Sequence, residues 1–296
     1  MIEFHRLLLG DKQRNEAFAK ALEKVIVPGK TIVADIGSGT GYLSFIASKL
    51  GAKECHLYEI DEEMFAISKQ IAKDNSITNC VFHKGHSSEV KNPVQADVVI
   101  SETLGNYALE ENIVETLRDA RRFLKPDGVM IPQKLRQFVA PVVTDRIHRE
   151  LDVWDLGHGL DFSKARELCF NNVYVRTLQQ SDLLPNGANQ WDAVDFYEEN
   201  DSDRSATIEW TPGTATVYGF VLWWTCELLP GLTLTTAPGA PHTHWEHVYL
   251  PLPEPIVTKN TVRLALHSDT RYDVKVRLQW SAEADGKMQE MDMEKG

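Results

Sequence analysis

Three glycines at alternate positions stand in Asp35-Ile36-Gly37-Ser38-Gly39-Thr40-Gly41, after a short apolar run at 31–36 and before an apolar-periodic stretch that ends near residue 50. Glycine there lets the chain turn sharply from strand to helix and leaves bare backbone where a ligand can come close. A strand, a glycine turn and a helix in that order commit the chain to a parallel sheet, because the next parallel strand needs a crossover connection. The alternation continues. Residues 54–59 read as a strand, and 62–75 as a helix with Met64, Ile67 and Ile71 on one side. Residues 81–84 form a third strand, and 96–102 a fourth, near-continuous apolar run of the kind buried on both faces. Ile113, Leu117, Ala120 and Leu124 fall in helical register, Pro126-Asp127-Gly128 reads as a turn, and 129–131 opens another strand. Upstream, 11–25 reads as a helix with Ala17, Phe18, Ala21, Leu22 and Val25 on one face. The expected fold class of residues 1–132 is α/β, a doubly wound, mostly parallel, Rossmann-like sheet.

After Pro132 helical periodicity fades. Alternating β-branched and aromatic runs at 137–143, 206–210, 215–228, 262–267 and 274–280 take over, with turns at Pro212-Gly213 and Pro230-Gly231. This predicts a second, all-β domain over 133–296, barrel-like or sandwich. An irregular insert at about 151–184 carries Trp154, Leu156, Phe162, Phe170 and Tyr174. Residues 283–296 are polar and charged, and fraying is expected there.

The 296 residues suffice for two domains. With 43% hydrophobic and 25% charged residues the profile is that of a soluble globular protein. No run of 18 apolar residues occurs, so no membrane span is expected. Cys55, Cys80, Cys169 and Cys226 are far apart and lack CxxC spacing, which argues for neither a disulfide framework nor a zinc site and makes a reducing cytoplasm the default. A formal charge of −12 disfavours binding to nucleic acid and would attract basic substrates.

The dinucleotide pattern G-x-G-x-x-G, counted from Gly37, needs a glycine at 42 and meets Tyr42. The turn suits instead an adenosyl cofactor whose unphosphorylated body lies against backbone. Glu59, at the end of the next strand, is placed to accept hydrogen bonds from both ribose hydroxyls; otherwise it is an ordinary surface residue. Between the fourth strand and the following helix, Ser101 to Glu111 holds Glu102 and Glu111. Two carboxylates beside such a cofactor make a cage for a cation, and a planar guanidinium fits it better than an ammonium. The alternative is that Glu110 and Glu111 merely favour a helix N-terminus. His242, His244 and His247 admit a metal reading, but only Glu246 could add a carboxylate, so no metal is expected.

These residues together resemble the protein arginine methyltransferases over most of the chain. Members carry a glycine motif like 35–41, an acid like Glu59, a hairpin opening with Ser-Glu whose second glutamate lies nine positions on, here Glu111, and a Thr-His-Trp loop, here Thr243-His244-Trp245. The resemblance implies S-adenosyl-L-methionine as cofactor and arginine in a protein or peptide as methyl acceptor. It implies that Arg14 contacts the cofactor carboxylate, that Asp11 pairs with His244, and that His5, Asp35, Gly37, Gly39, Gly41 and Glu59 contact the cofactor. Residues 85–90, with Ser87 and Ser88, resemble the segment that cups the adenine. Glu102 and Glu111 would grip the guanidinium, His244 would take the proton it sheds, and Trp245 would pack on its face. The insert would serve as a dimerisation arm. Two departures stand out. The tyrosine-rich helix usual ahead of this region is expected to be missing, and Asn106 replaces an aromatic. Both favour an open site, and a methyltransferase with a small acceptor, or a cofactor-binding association module, are the competing expectations.

Overall fold

A computed structural model describes residues 2–155, 158–272, 274 and 276–296. Two helices come first, α1 (Ile2–Gly10) and α2 (Lys12–Val25), joined at Asp11. Asp11 caps α2, its Oδ1 accepting the N–H of Arg14 at 2.9 Å, which is why the helix expected to begin at 11 begins at 12. Ala17, Phe18, Ala21 and Leu22 form the buried face of α2, as their spacing requires.

The alternating region follows as β1 (Ile32–Ile36), α3 (Tyr42–Lys49), β2 (Glu54–Glu59), α4 (Glu62–Asp74), β3 (Cys80–Lys84), β4 (Ala96–Ile100), α5 (Ile113–Ala120) and β5 (Leu124–Ile131). All four pairings are parallel and the order is β3-β2-β1-β4-β5. Strand order therefore reverses between β1 and β4, and the crevice outside their carboxyl ends is where such sheets bind ligands. The glycine turn leaves the end of β1 and the Ser101 segment leaves the end of β4. Ser101 Oγ donates to the Ile36 carbonyl at 2.8 Å and ties the two exits together. One local expectation fails here. Residues 126–128 lie within β5 rather than in a turn, and Leu124 begins that strand instead of closing α5. The register shift between Ala96 and Val98 accommodates the proline, since a bulge removes the need for its missing N–H.

The antiparallel region contains β6 (Lys134–Val142), α6 (Arg146–Leu151), α7 (Ser163–Phe170), β7 (Tyr174–Arg176), β8 (Asn189–Asp195), β9 (Asp203–Trp210), β10 (Thr216–Leu229), β11 (Leu232–Thr235), β12 (His247–Val257), β13 (Val262–Asp269), β14 (Arg277–Ala284) and β15 (Lys287–Asp292). One sheet runs β7-β12-β10-β6-β8 with β11 added on β10; the other runs β15-β14-β13-β9. Leu222 and Trp224 of β10 join Leu266 and Trp280 of the second sheet in a core continuous with that under the parallel sheet. The insert is not irregular. β7 joins the edge of the first sheet beside β12, and α6, just ahead of the insert, lies with α7 over the other face of that sheet, burying Ile147, Leu151 and Phe170 against Val221, Trp223 and Tyr249. Leu156 lies outside the described residues. The C-terminal stretch is not frayed either: β15 pairs with β14 along its length, and Asp292, held by Arg277 and Gln279, is buried.

Candidate active site

At the switch point the structure opens a cavity of about 200 Å³ whose wall includes Gly37, Gly39, Glu59, Arg14, Glu102 and Glu111. α1 closes one side with Phe4, His5, Leu8 and Leu9. A larger hollow of about 530 Å³ lies on the outer face of the second antiparallel sheet, around Ser205, Thr207, Ala265 and Ser281. It is wider but shares no wall with the glycine turn or the glutamates, so chemistry rather than volume selects the smaller cavity.

The backbone of the turn is left-handed at its glycines. Gly39 has φ 53°, and a Cβ there would sit 2.7 Å from His5 Cε1. Gly41 has φ 82°, and a Cβ would sit 2.5 Å from the Phe45 ring. Gly41 thus serves helix packing, while Gly37 and Gly39 face the cavity. Glu59 is buried, its Oε2 accepting the Gly39 N–H at 2.6 Å and its Oε1 the Asp61 N–H at 2.7 Å. Each oxygen keeps lone-pair capacity for a hydroxyl donor. Asp35 lies beneath the turn with Ser44 Oγ on its Oδ2 at 2.7 Å; complete burial pushes its carboxyl up to about 7.

Glu102 and Glu111 open onto the same cavity. Glu102 is engaged within the protein: Arg14 Nε donates to its Oε2 at 2.6 Å, Arg14 Nη2 lies 2.5 Å from the same oxygen, and the Leu104 N–H reaches Oε1 at 3.1 Å. Both side chains of this ion pair are almost fully buried. Glu111 presents surface to solvent at the cavity mouth while protein crowds its carboxyl. Partial desolvation, then the neighbouring charges of Glu102 and Glu110, push it up to about 7 against the opposing pull of Arg14. Water that reaches the mouth limits how far this shift translates into stability. The helix-start reading of Glu110 and Glu111 fails, because α5 begins only at Ile113 behind a left-handed Asn112. Glu110 instead folds back, and its Oε1 accepts the Asn106 N–H at 2.7 Å.

His244 meets Asp11 across 233 residues of sequence: its backbone N–H and its Nδ1 both bond Asp11 Oδ2 at 2.8 Å. His244 Nε2 is buried with no partner, and neither His244 nor Asp11 is part of the cavity wall, which the pair adjoins through Arg14. His247 is committed to structure, with Nδ1 accepting the Leu178 N–H and Nε2 donating to the Thr236 carbonyl. Trp245 corrects the expectation placed on it. It is 5% exposed, lies outside the cavity wall, and its Nε1 donates to the Leu104 carbonyl at 2.6 Å. It supports the hairpin backbone instead of facing a ligand. Ser87 is buried and Ser88 exposed, and neither lines this cavity. Sequence reasoning placed His5 at the cofactor but missed that residues 2–10 form a helix whose Phe4, Leu8 and Leu9 also wall the cavity; the spacing of Phe4 and Leu8 carried that signal. Thr103, which also lines the cavity, gave none.

The residues present fit an adenosyl cofactor: an acid for ribose, side-chain-free backbone at Gly37 and Gly39, and a guanidinium at Arg14 for a carboxylate. Buried Ser38 Oγ and Thr103 Oγ1 on the same wall lack partners. Fold and site define a class, the methyltransferases built on a doubly wound sheet, and a family profile described as a methyltransferase domain matches residues 29–193. A second profile, the arginine methyltransferase oligomerization subdomain, matches residues 134–285, and the chain belongs to the arginine methyltransferase family.

Among relatives, "Probable protein arginine N-methyltransferase 3" of Arabidopsis thaliana is 32% identical over 284 residues, covering 85% of this chain and 47% of that protein. The chain therefore spans about half the length of that relative. "Arginine N(omega)-methyltransferase" of Streptomyces achromogenes subsp. streptozoticus is 29% identical, covering 89% of this chain and 74% of the other. The fold matches the Trypanosoma brucei PRMT1 enzyme–prozyme heterotetrameric complex with AdoHcy at TM-score 0.85 and 22% identity, over 98% of this chain and 96% of that one. It also matches protein arginine methyltransferase 10 of Arabidopsis thaliana, solved in an open conformation, at TM-score 0.82 and 20% identity, over 99% and 97% of the two chains.

Proposed function

We propose that this protein transfers a methyl group from S-adenosyl-L-methionine to a guanidino nitrogen of arginine in a protein or peptide. The observation that carries the reading is that Glu102 and Glu111 open onto one cavity with Gly37, Gly39 and Glu59. In this reading Glu59 holds the ribose, Arg14 and His5 hold the methionine end, and the adenine extends past the cavity wall toward residues 85–90 with Ser87 and Ser88. The bound cofactor supplies an electrophilic methyl group on a sulfonium; the protein's work is alignment. Glu102 and Glu111 each grip one edge of the guanidinium and turn one nitrogen toward the reacting carbon. Glu111 must be ionised to do so. His244, oriented by Asp11, takes the proton that the methylated guanidinium releases.

A second reading has free arginine or another small guanidine as acceptor. Thr103 and Asn106 on the hairpin support it, since neither carries an aromatic that would close around a peptide-borne side chain, and so does the Streptomyces relative, whose name specifies arginine without a protein. Mass spectrometry of reactions with S-adenosyl-L-methionine and either arginine-rich peptides or free arginine separates the two. No methyl transfer to either sinks both.

We further propose that residues 1–132 and 133–296 act as cofactor and substrate domains, and that two copies pair through the insert at 151–184 in a cytoplasmic homodimer. Support comes from exposed Val153, Leu160 and Leu168 on that insert and from the oligomerization profile that spans it. The four thiols are unpaired, and no helix among the described residues is long and apolar enough to cross a membrane. Sedimentation of the full chain tests the dimer.

A further inference from the structure

We infer that Trp224, in the middle of β10, is a positioning residue that sets the separation of Glu102 and Glu111. The inference rests on the methyl-transfer reading above. Midway between the two glutamates, four consecutive residues of the hairpin are tied to the antiparallel region, the last of them Tyr107, whose hydroxyl bonds Ser268 Oγ of β13 at 2.6 Å. Trp245 Nε1 donates to the Leu104 carbonyl at 2.6 Å, Trp224 Nε1 donates to the Gly105 carbonyl at 3.0 Å, and the Glu246 N–H donates to Asn106 Oδ1 at 2.9 Å. The two indoles pack edge to face, 5.0 Å apart at 73°, and Trp224 is 1% exposed. From the other side Glu110 bonds the Asn106 N–H and fills the space above Gly105, where a Cβ would lie 2.1 Å from its Cγ.

The carbonyls of Leu104 and Gly105 are buried, and a buried carbonyl without a donor is costly. Removing the Trp224 N–H would let the hairpin shift to find another donor. A fork built from two carboxylates has little tolerance for such a shift, since its hydrogen bonds need both distance and plane. The indole thus acts on the reaction through the backbone it holds and never touches the acceptor.

The fold supplies its own control. Trp280 is also buried, at 2% exposed, and its Nε1 donates to the Pro251 carbonyl of β12 at 2.9 Å and not to the hairpin. Trp224→Phe and Trp280→Phe each delete one buried indole N–H. In the full chain, methyl transfer to an arginine-rich peptide should lose roughly tenfold or more in kcat for Trp224→Phe. Affinity for S-adenosyl-L-methionine should be unchanged, and Trp280→Phe should keep the parental kcat. Amide hydrogen exchange at Asn106 and Glu246 should speed up only in Trp224→Phe. Parental kcat and exchange in Trp224→Phe, or an equal loss in Trp280→Phe, overturns the inference. If Trp224→Phe does not fold, replacing the indole by benzothiophene keeps the ring shape without the N–H and gives the same two outcomes. If the unaltered protein transfers no methyl group, the functional reading fails, while amide exchange still decides whether Trp224 holds the hairpin.

Discussion

Asp11 Oδ2 accepts two hydrogen bonds from the single residue His244, one from its backbone and one from its ring, while Asp11 Oδ1 caps α2. One carboxylate thereby joins the first helices, the cavity-lining Arg14 that follows it, and the loop ahead of β12. Burial alone would raise this carboxyl, but the bonds from His244 and the Arg14 N–H overcome it and hold Asp11 below the usual carboxylate range.

Its two functions should separate by mutation. Asn can still cap α2 through its one oxygen, but its amide nitrogen cannot accept the two His244 N–H groups, so Asp11→Asn should lower the melting temperature by the loss of that pairing alone while methyl transfer falls, because the charge that orients His244 is gone. Asp11→Ala should also lose about 1 kcal/mol of stability in chemical denaturation. Parental activity in Asp11→Asn would show that the pairing is structural only.

Glu111 makes the reaction pH-dependent. With its carboxyl at about 7, the free protein holds a proton there in mild acid, and a neutral carboxyl cannot accept a guanidinium edge. kcat/KM should therefore rise with pH through about 7 and level off above it. Stability should move the other way. Between the model-peptide value of 4.5 and about 7 the folded chain keeps a proton that the unfolded chain releases, so this site costs stability progressively as pH rises through that window. Glu111→Gln should then raise the melting temperature at pH 8 and leave it nearly unchanged at pH 4. Equal effects at both pH values would show that Glu111 is not strained by its surroundings.

The Arg14–Glu102 pair is buried on both sides. Arg14→Ala leaves Glu102 without its counter-ion and should cost about 3–5 kcal/mol in chemical denaturation. Arg14→Lys keeps the charge but not the two-nitrogen approach, and calorimetry should show weaker S-adenosyl-L-methionine binding with a smaller stability loss. A cofactor affinity unchanged in Arg14→Lys would remove Arg14 from the cofactor site.

At Gly39, a methyl group would meet the His5 ring. Gly39→Ala should abolish cofactor binding, and His5→Ala in the same chain should restore it in part, the remainder being backbone strain at positive φ and the lost His5 contact with the cofactor. Failure of the second change to restore any binding would place the fault in the backbone alone.

The parallel half of the fold was legible in the sequence because its signals are local. The run 32–36 is apolar, Gly37 to Gly41 turn the chain, and the spacing in α2 and α5 is helical. The antiparallel half was partly hidden. β12 carries Pro251, Pro253 and Pro255, which argue against a strand, yet it pairs with β10 through a register shift that absorbs missing donors. The polar, charged character of the terminal stretch that forms β15 points to fraying, although Asp285-Gly286, both at positive φ, is a hairpin turn signal. At the site, the glutamate spacing and the glycine turn were visible. The Arg14–Glu102 pair and the Trp224 bond to Gly105 join residues 88 and 119 positions apart, and no local pattern announces them.

The central claim is that two carboxylates at one cavity present a guanidinium to a methyl donor. The direct measurement is transfer of labelled methyl from S-adenosyl-L-methionine to an arginine-rich peptide by the unaltered protein, Glu102→Gln and Glu111→Gln, with cofactor affinity measured on each. The account predicts transfer by the unaltered protein, loss of at least about a hundredfold in Glu111→Gln with cofactor affinity retained, and a comparable loss in Glu102→Gln. Methyl transfer that survives both substitutions would contradict it.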